Sequence, residues 1–414
     1  MGLSRPRSGP DPVPALLALD AGNSKTDVAL LGADGTVLGT ARGGGFRPPA
    51  VGIDAAVDVL AEAVARARAA AGADRAGGTG QGPAPVHQVM ACLANADLPV
   101  EEEQLAAALA GRGWGRLVTV HNDTFAVLRT GLTRQDGDAA PCGVAVVCGA
   151  GINCVGLRPD GRTARFPAIG RLSGDWGGGG GLGEEALWHA ARAEDGRGEP
   201  TVLRTALPAH FGLDSMYALI EAVHLGRIPH ARRLELVPVL FEAADRGDAV
   251  ADSLVARLAE EVVTMAVVAL RRLELLEEEV PVLLGGGILA AGRPRLDDRV
   301  TRLLAQRAPR AVPRVVRARP VLGAALLGLD ALGTPVTAHE RARRYFETRT
   351  EPRSRADTGN PADARNPADA GSPRGGSPGP VDGHSGAPRG RMGGYGPGQE
   401  GSRRREEQRG AAPG

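Results

Sequence analysis

The chain has 414 residues, with 49 basic against 48 acidic groups and a formal net charge of +1. A balance this even offers no electrostatic grip on nucleic acid or on an anionic membrane surface. No segment reaches the 18 consecutive apolar residues of a spanning helix, and Met1–Pro14 lacks the apolar core of a secretory signal, so a cytoplasmic protein is expected. From about Glu351 to Gly414 the chain is Gly, Pro, Arg, Asp and Ser, with a near-duplicated NPADARNPADAG run. With almost no aliphatic residues to offset the entropy of ordering, 351–414 is expected to be disordered, and so is 1–14. About 335 residues remain, enough for two separate cores.

In chain order, the apolar run Ala15–Asp20, the small polar turn Ala21–Lys25 and the run Thr26–Leu31 predict two paired strands. The turn Ala33-Asp34-Gly35 and a strand Thr36–Ala41 complete an antiparallel meander. A helix follows to about Ala71, with Asp54 as its expected N-cap. Next come a strand near Val86–Ala91, a helix near Glu101–Ala110, a strand Leu117–His121 and a helix Thr124–Gly131. The pattern then restarts with Gly143–Cys148, the turn Gly149-Ala150-Gly151, Ile152–Leu157 and Arg162–Phe166. The two meanders lie about 127 residues apart, which predicts a duplicated lobe. Beyond it the sequence predicts mostly helix, the longest stretch being Ala249–Leu276. A strand Val280–Leu284 ends in Gly285-Gly286-Gly287, and 321–333 is a closing helix that packs back near the hinge. The fold class is therefore α/β, with lobes expected at 15–131 and 140–333.

Four cysteines, Cys92, Cys142, Cys148 and Cys154, match no zinc or iron–sulfur spacing. They read as buried thiols, with a redox-sensitive Cys148/Cys154 pair as the alternative. Lys25 is the only lysine in the chain. A lysine that survives in so Arg-rich a sequence marks a place where a compact point charge works and a planar guanidinium does not.

That lysine lies in Asp20-Ala-Gly-Asn-Ser-Lys-Thr26. Small residues between two strands, Gly22 among them, let backbone N–H groups approach a phosphate, and Ser24, Lys25 and Thr26 add two hydroxyls and a cation. Asp20, at a strand end, is placed to hold Mg²⁺ through water. Gly149-Ala-Gly151-Ile-Asn153 repeats the turn without charge and suits the same phosphate from the other side. Asp123, where a strand enters a helix, has two readings: the helix N-cap, or a general base for a hydroxyl attacking phosphorus. His121 beside it reads as a hydrogen-bonded core residue. Gly170–Gly183 is too glycine-rich for a core element; it wraps tightly or brings bare backbone to a ligand, with a flexible linker as the alternative.

Together these residues resemble the acetate/sugar kinase, heat-shock ATPase and actin superfamily, and within it the BadF/BadG/BcrA/BcrD ATPase family that includes N-acetylglucosamine kinases. The resemblance covers about residues 15–333, with five motifs in the family's order. It implies a two-lobed actin-like ATPase fold with duplicated ribonuclease H-like lobes and a nucleotide cleft between them. It also implies an ATP- and Mg²⁺-dependent transfer of phosphate to an amino-sugar hydroxyl. Asp20–Thr26 and Gly149–Asn153 match the two phosphate loops, and Gly285, Gly286 and Gly287 the adenosine motif. Asp123 in HNDTF matches the catalytic aspartate, and Ser173-Gly174-Asp175 the Gly-Asp that contacts sugar. Asn122, Asn153, Asp175 and Arg47 are the expected substrate contacts. The chain departs from the pattern at two of the family's substrate positions. Phe46 and Arg47 stand where a sugar-binding asparagine is usual, and Trp176 stands for a glutamate. Arg47 suits an acidic or phosphorylated substrate, or is a surface residue. A small-molecule sugar is the expected partner, and the resemblance leaves a homodimer open. Two other classes stay open: an ATP-driven activator of an iron–sulfur dehydratase, and a silent sugar sensor.

Overall fold

The computed structural model describes residues 13–72, 84–132 and 141–348. The tail 351–414 and residues 1–12 lie outside them, and Pro14 opens the first strand. The first lobe is built from β1 (Pro14–Ala21), β2 (Thr26–Gly32), β3 (Val37–Gly43), a one-turn α1 (Pro48–Val51), α2 (Ile53–Ala70), β4 (Val86–Leu93), α3 (Pro99–Ala110), β5 (Gly115–Asn122) and α4 (Asp123–Gly131). The second has β6 (Gly143–Cys148), β7 (Ile152–Leu157), β8 (Thr163–Arg165), α5 (Gly178–Glu194), α6 (Leu203–His210), α7 (Met216–His224), α8 (Leu236–Asp245), α9 (Ala249–Arg272), β9 (Val280–Gly285), α10 (Gly286–Leu289), α11 (Pro294–Arg307) and β10 (Ala311–Val315). The chain closes with α12 (Pro320–Ala331) and α13 (Val336–Thr348).

The described strands form two five-stranded sheets of like topology, β3-β2-β1-β4-β5 and β10-β9-β6-β7-β8. In each, an antiparallel meander is extended by parallel strands, as the repeat predicts. β1 is apolar from Ala15 to Leu19 because both faces are covered there. Leu17 and Leu19 pack with α2, whereas Leu16 and Ala18 meet α12 and α13. α4 lies against the second sheet, where Phe125 and Leu128 join Ala145, Val155 and Leu283. α4 and α12 therefore form a pair between the two sheets. They come so close that a Cβ on Gly323 would lie 1.8 Å from the Ala126 carbonyl oxygen. Among the described residues, no helix is long and apolar enough to cross a membrane.

Two local expectations change. Gly52, not Asp54, is the N-cap of α2, at φ +85°. That left-handed conformation suits glycine, and it moves Asp54 into the first turn, where its charge still favours the helix dipole. The glycines of Gly178–Gly183 are not a linker but the first turns of α5, and Gly178, Gly179, Gly180 and Gly183 are buried there. A Cβ on Gly178 would lie 2.6 Å from the Gly151 backbone, and one on Gly183 2.3 Å from the Arg233 carbonyl oxygen. Close packing, which composition alone does not show, is what selects glycine here.

Candidate active site

Parallel strands place their carboxyl ends along one edge, the usual place for a ligand in such sheets. Here β1, β4 and β5 end together, with Asp20 opposite Cys92 and Leu93 opposite Asn122. In the second sheet, β6 and β9 end at Cys148 and Gly285 and run into the two other glycine turns. The sequence-predicted residues at these strand ends thus mark two edges.

Strand alternation carries the α12 side of β1 from Leu16 and Ala18 to Asp20, and Asp27 pairs directly across from it in β2. The two carboxylates stand side by side. Asp27 is buried and accepts hydrogen bonds from Arg42 at 2.9 Å and from Arg319, the residue before α12, at 2.6 Å. Burial raises the Asp20 carboxyl well above its ordinary range, the Asp123 and Asp27 charges raise it further, and Lys25 and Arg319 pull back only in part. Asp27 is already held by two arginines. Among the described residues no group of three or more His, Cys, Asp or Glu side chains gathers into a metal site, so Asp20 is the carboxylate left to face a cation through water.

The turn after Asp20 is clamped from several directions. The Gly22 N–H donates to the Lys25 carbonyl at 2.9 Å and the Phe46 N–H to the Gly22 carbonyl at 2.9 Å. The Asn95 amide donates to Asn23 Oδ1 at 3.0 Å and to the Phe46 carbonyl at 3.3 Å. Ser24 and Lys25 are exposed, while the Thr26 hydroxyl is buried with no partner among the described residues. Phe46 is fully buried in the first-lobe core, which accounts for an apolar residue where a substrate contact was expected. Arg47 is exposed just before α1, and no hydrogen bond or ion pair joins its side chain to the site among the described residues.

Asn122, not Asp123, caps α4: its Oδ1 accepts from the Thr124 N–H at 3.0 Å. The capping alternative for Asp123 is thereby excluded, and its carboxylate is the first side chain of the helix. Burial pushes it up to about 6 against the hydrogen bonds from Thr124. Asn122 also donates to Asp97 Oδ1 at 2.8 Å and accepts from Asn153 Nδ2 at 3.1 Å, across to the second lobe. Asp97 is pushed up to about 7, by burial first and then by the Asp123 and Glu101 charges. His121 is held below its usual range by burial and stacks 5.4 Å from Phe125.

On the second-lobe side, Gly149 closes its own turn by donating to the Gly151 carbonyl at 2.9 Å. The Gly179 and Gly180 N–H groups at the start of α5 then donate to the Gly149 and Ala150 carbonyls at 2.7 and 2.9 Å. No atom lies within 4 Å of where a Cβ would sit on Gly149 or Gly151, so these faces are open. Gly286, at φ +84°, brings β9 against β6, since a Cβ there would lie 2.4 Å from the Cys148 carbonyl oxygen. Gly285 packs on Val127, and Gly287 is open. A cavity of about 260 Å³ adjoins the turn, lined by Gly151, Arg171, Asp175, Trp176, Gly181 and Arg233 among others. Asp175 Oδ2 accepts from the Gly170 N–H and the Ser173 hydroxyl, at 3.0 and 2.6 Å. Trp176 is 8% exposed, with the Arg257 guanidinium 4.2 Å from its ring. Asp20, Lys25 and Asp123 therefore share one edge and Asn122 meets Asn153, whereas Asp175 belongs to this second-lobe cavity.

A profile of the BadF/BadG/BcrA/BcrD ATPase family matches residues 17–328. The chain belongs to this family. An N-acetyl-D-glucosamine kinase of Dictyostelium discoideum is 26% identical over 215 residues, which are 51% of this chain and 66% of that protein. An N-acetylmuramic acid/N-acetylglucosamine kinase of Clostridium acetobutylicum is 25% identical over 196 residues, 47% and 62% of the two chains. The matched part thus spans less than two thirds of either relative. A solved structure from Chromobacterium violaceum, provisionally assigned as an N-acetylglucosamine kinase, is 26% identical with a TM-score of 0.58, over 77% of this chain and 99% of that one. The two-lobed actin-like fold of this BadF-family chain follows from the sheets and from that likeness. The four cysteines are free: Cys92, Cys148 and Cys154 are buried as expected, with burial raising Cys148 to about 12 and the other two upward likewise, whereas Cys142 is only half-buried.

Sequence reasoning missed Asp27, Asn95, Asp97, Glu102, Arg165 and Arg319. Asp97 had a signal, since it follows the end of a parallel strand as Asp20 and Asp123 do. The two arginines had none, because their carboxylate partners lie far along the chain.

Proposed function

We propose that this chain transfers the γ-phosphate of Mg-ATP to a hydroxyl of an amino sugar of the N-acetylglucosamine type. The observation that carries it is Asp123. A carboxylate at the start of α4, between two lobes and next to a phosphate-type turn, is kept basic by burial. Two relatives and one solved structure whose names specify N-acetylglucosamine kinases support the substrate class.

In this reading Lys25, Ser24 and the open faces of Gly149 and Gly151 hold the phosphates. Gly22 shapes the first turn, Gly285 and Gly286 pack the end of β9 onto Val127 and Cys148, and the open face of Gly287 leaves room for adenosine. The buried Thr26 hydroxyl, without a partner among the described residues, suits a phosphate oxygen or a cation-bound water. Bound Mg²⁺ would neutralise charge between the phosphates, and Asp20 would orient it through water. Asp123 takes the hydroxyl proton as the sugar oxygen bonds to phosphorus and the bond to ADP breaks. Asn153 and Asp175 are the substrate contacts. Asn122, buried with its amide shared among Thr124, Asn153 and Asp97, holds Asn153 in place. Closing the lobes excludes water that would otherwise hydrolyse ATP.

The test is Mg-ATP turnover against N-acetylglucosamine, N-acetylmuramic acid, N-acetylmannosamine, glucosamine and glucose. ADP release that depends on an amino sugar supports the reading; nucleotide binding with no sugar dependence overturns it. Asp20→Asn is expected to weaken divalent-cation affinity about 10–100-fold, read by Mn²⁺ binding in the presence of ADP as well as by turnover. Unchanged Mn²⁺ binding would remove Asp20 from the cation site.

A further inference from the structure

Glu102, on α3 of the first lobe, is gripped by Arg165, on β8 of the second. The guanidinium donates to both carboxylate oxygens, Nη1 to Oε2 at 2.8 Å and Nη2 to Oε1 at 2.9 Å. Both partners are mostly buried, at 17% and 28% exposure, so this pair is not a screened surface bridge. The same Oε1 accepts the backbone N–H of Asn122 at 3.2 Å, the residue that caps α4 and precedes Asp123. The Arg165 guanidinium also lies 5.6 Å from the Phe125 ring, two residues beyond Asp123.

Each arm of the link is anchored. The Arg165 carbonyl accepts from Arg272 at the end of α9, at 3.0 Å, which fixes β8 on its own lobe. Beside Glu102, Glu101 accepts the N–H groups of Asp97 and Leu98 at 3.0 and 2.9 Å, which fixes the start of α3. A second bridge, Asn153 to Asn122, ends on the same cap residue. Two lobes therefore reach one another through the residue next to the base.

We propose that Glu102 and Arg165 are positioning residues that set the start of α4, and with it Asp123, only when the two lobes are together. Closure and alignment of the base become one event, so ATP bound to separated lobes meets a displaced base and is not hydrolysed. The proposal rests on Asp123 being the base, and it deepens the proposed function by naming what makes that base conditional.

Two substitutions separate the parts. Arg165→Gln breaks the cross-lobe pair. Glu102→Gln weakens the same pair yet keeps an oxygen for the Asn122 N–H. Each is expected to lower kcat about tenfold while leaving nucleotide Kd within twofold, and the double variant should be no worse than the poorer single. Hydrogen exchange with a non-hydrolysable ATP analogue bound reads the link without turnover. Arg165→Gln should speed exchange in both 121–125 and 163–165, in two different lobes. Additive losses in kcat, or exchange unchanged in 121–125, overturn the proposal. If the unaltered protein turns over no sugar, the proposed function fails while the exchange experiment still judges the link.

Discussion

Asp123→Asn is expected to lower kcat by about 10²–10⁴-fold, the contribution of a positioned general base, while ATP affinity stays within a few-fold. The substitution preserves the shape of the side chain and leaves the cap intact, because the group that caps α4 is Asn122. It removes the ability to accept a proton, and with it the negative charge that raises the Asp20 and Asp97 carboxyls. The pH profile gives the second half of the test. Burial raises the Asp123 carboxyl to about 6, and a base must be ionised to act, so kcat should rise with pH through about 6 and level off above it. The variant should lose that limb along with the rate. Steady-state turnover and calorimetric ATP titration decide the matter; equal loss of turnover and of nucleotide affinity would place Asp123 in the binding site instead.

The strands and turns that carry the site were legible because each rests on local chemistry. An apolar run that ends in small residues and a carboxylate reads as a strand that delivers a ligand group, and it did so at Asp20 and again at Asp123. The first two strands of the second meander, Gly143–Cys148 and Ile152–Leu157, matched the expected bounds to the residue, while the third, expected at Arg162–Phe166, is Thr163–Arg165. What stayed hidden depends on approach between distant segments. Five glycines in a row look like a linker until a second turn is seen resting on their backbone, as Gly149 and Ala150 rest on Gly179 and Gly180. Phe46, at a position where the family pattern puts a substrate contact, is accounted for only once it is seen filling the first-lobe core. Arg319 meets Asp27 across most of the chain, and no window of sequence contains both. α13 was not expected at all, since its apolar positions are sparse and three of them, Ala338, Ala342 and Phe346, acquire meaning only beneath the first sheet.

That helix also takes part in the most destabilising change the structure predicts. Arg129, near the end of α4, is 2% exposed and donates to both oxygens of Asp330, near the end of α12, at 2.6 and 3.1 Å. His339 of α13 bonds the same carboxylate at 2.9 Å. Burial alone would raise the Asp330 carboxyl, but the hydrogen bonds from His339 and Arg129 outweigh it and hold the group at about 2. Asp330→Asn leaves a buried guanidinium without its counter-charge, and breaking a buried pair in this way costs about 3–5 kcal/mol. At roughly 2–4 °C per kcal/mol, Tm should fall on the order of 10 °C. The sign of the pH dependence follows from the depressed value. The carboxylate's contribution is fully present above about 4, its unfolded range, and is lost as pH falls through about 2. Thermal unfolding of the two proteins should therefore differ by a constant margin at neutral pH, and the gap should narrow below pH 4. Because Asp330 lies at the opposite end of α12 from Arg319, the variant should keep nucleotide affinity while folded. A margin that persists undiminished to pH 2 would mean that packing of α13, not the ion pair, holds α4 to α12.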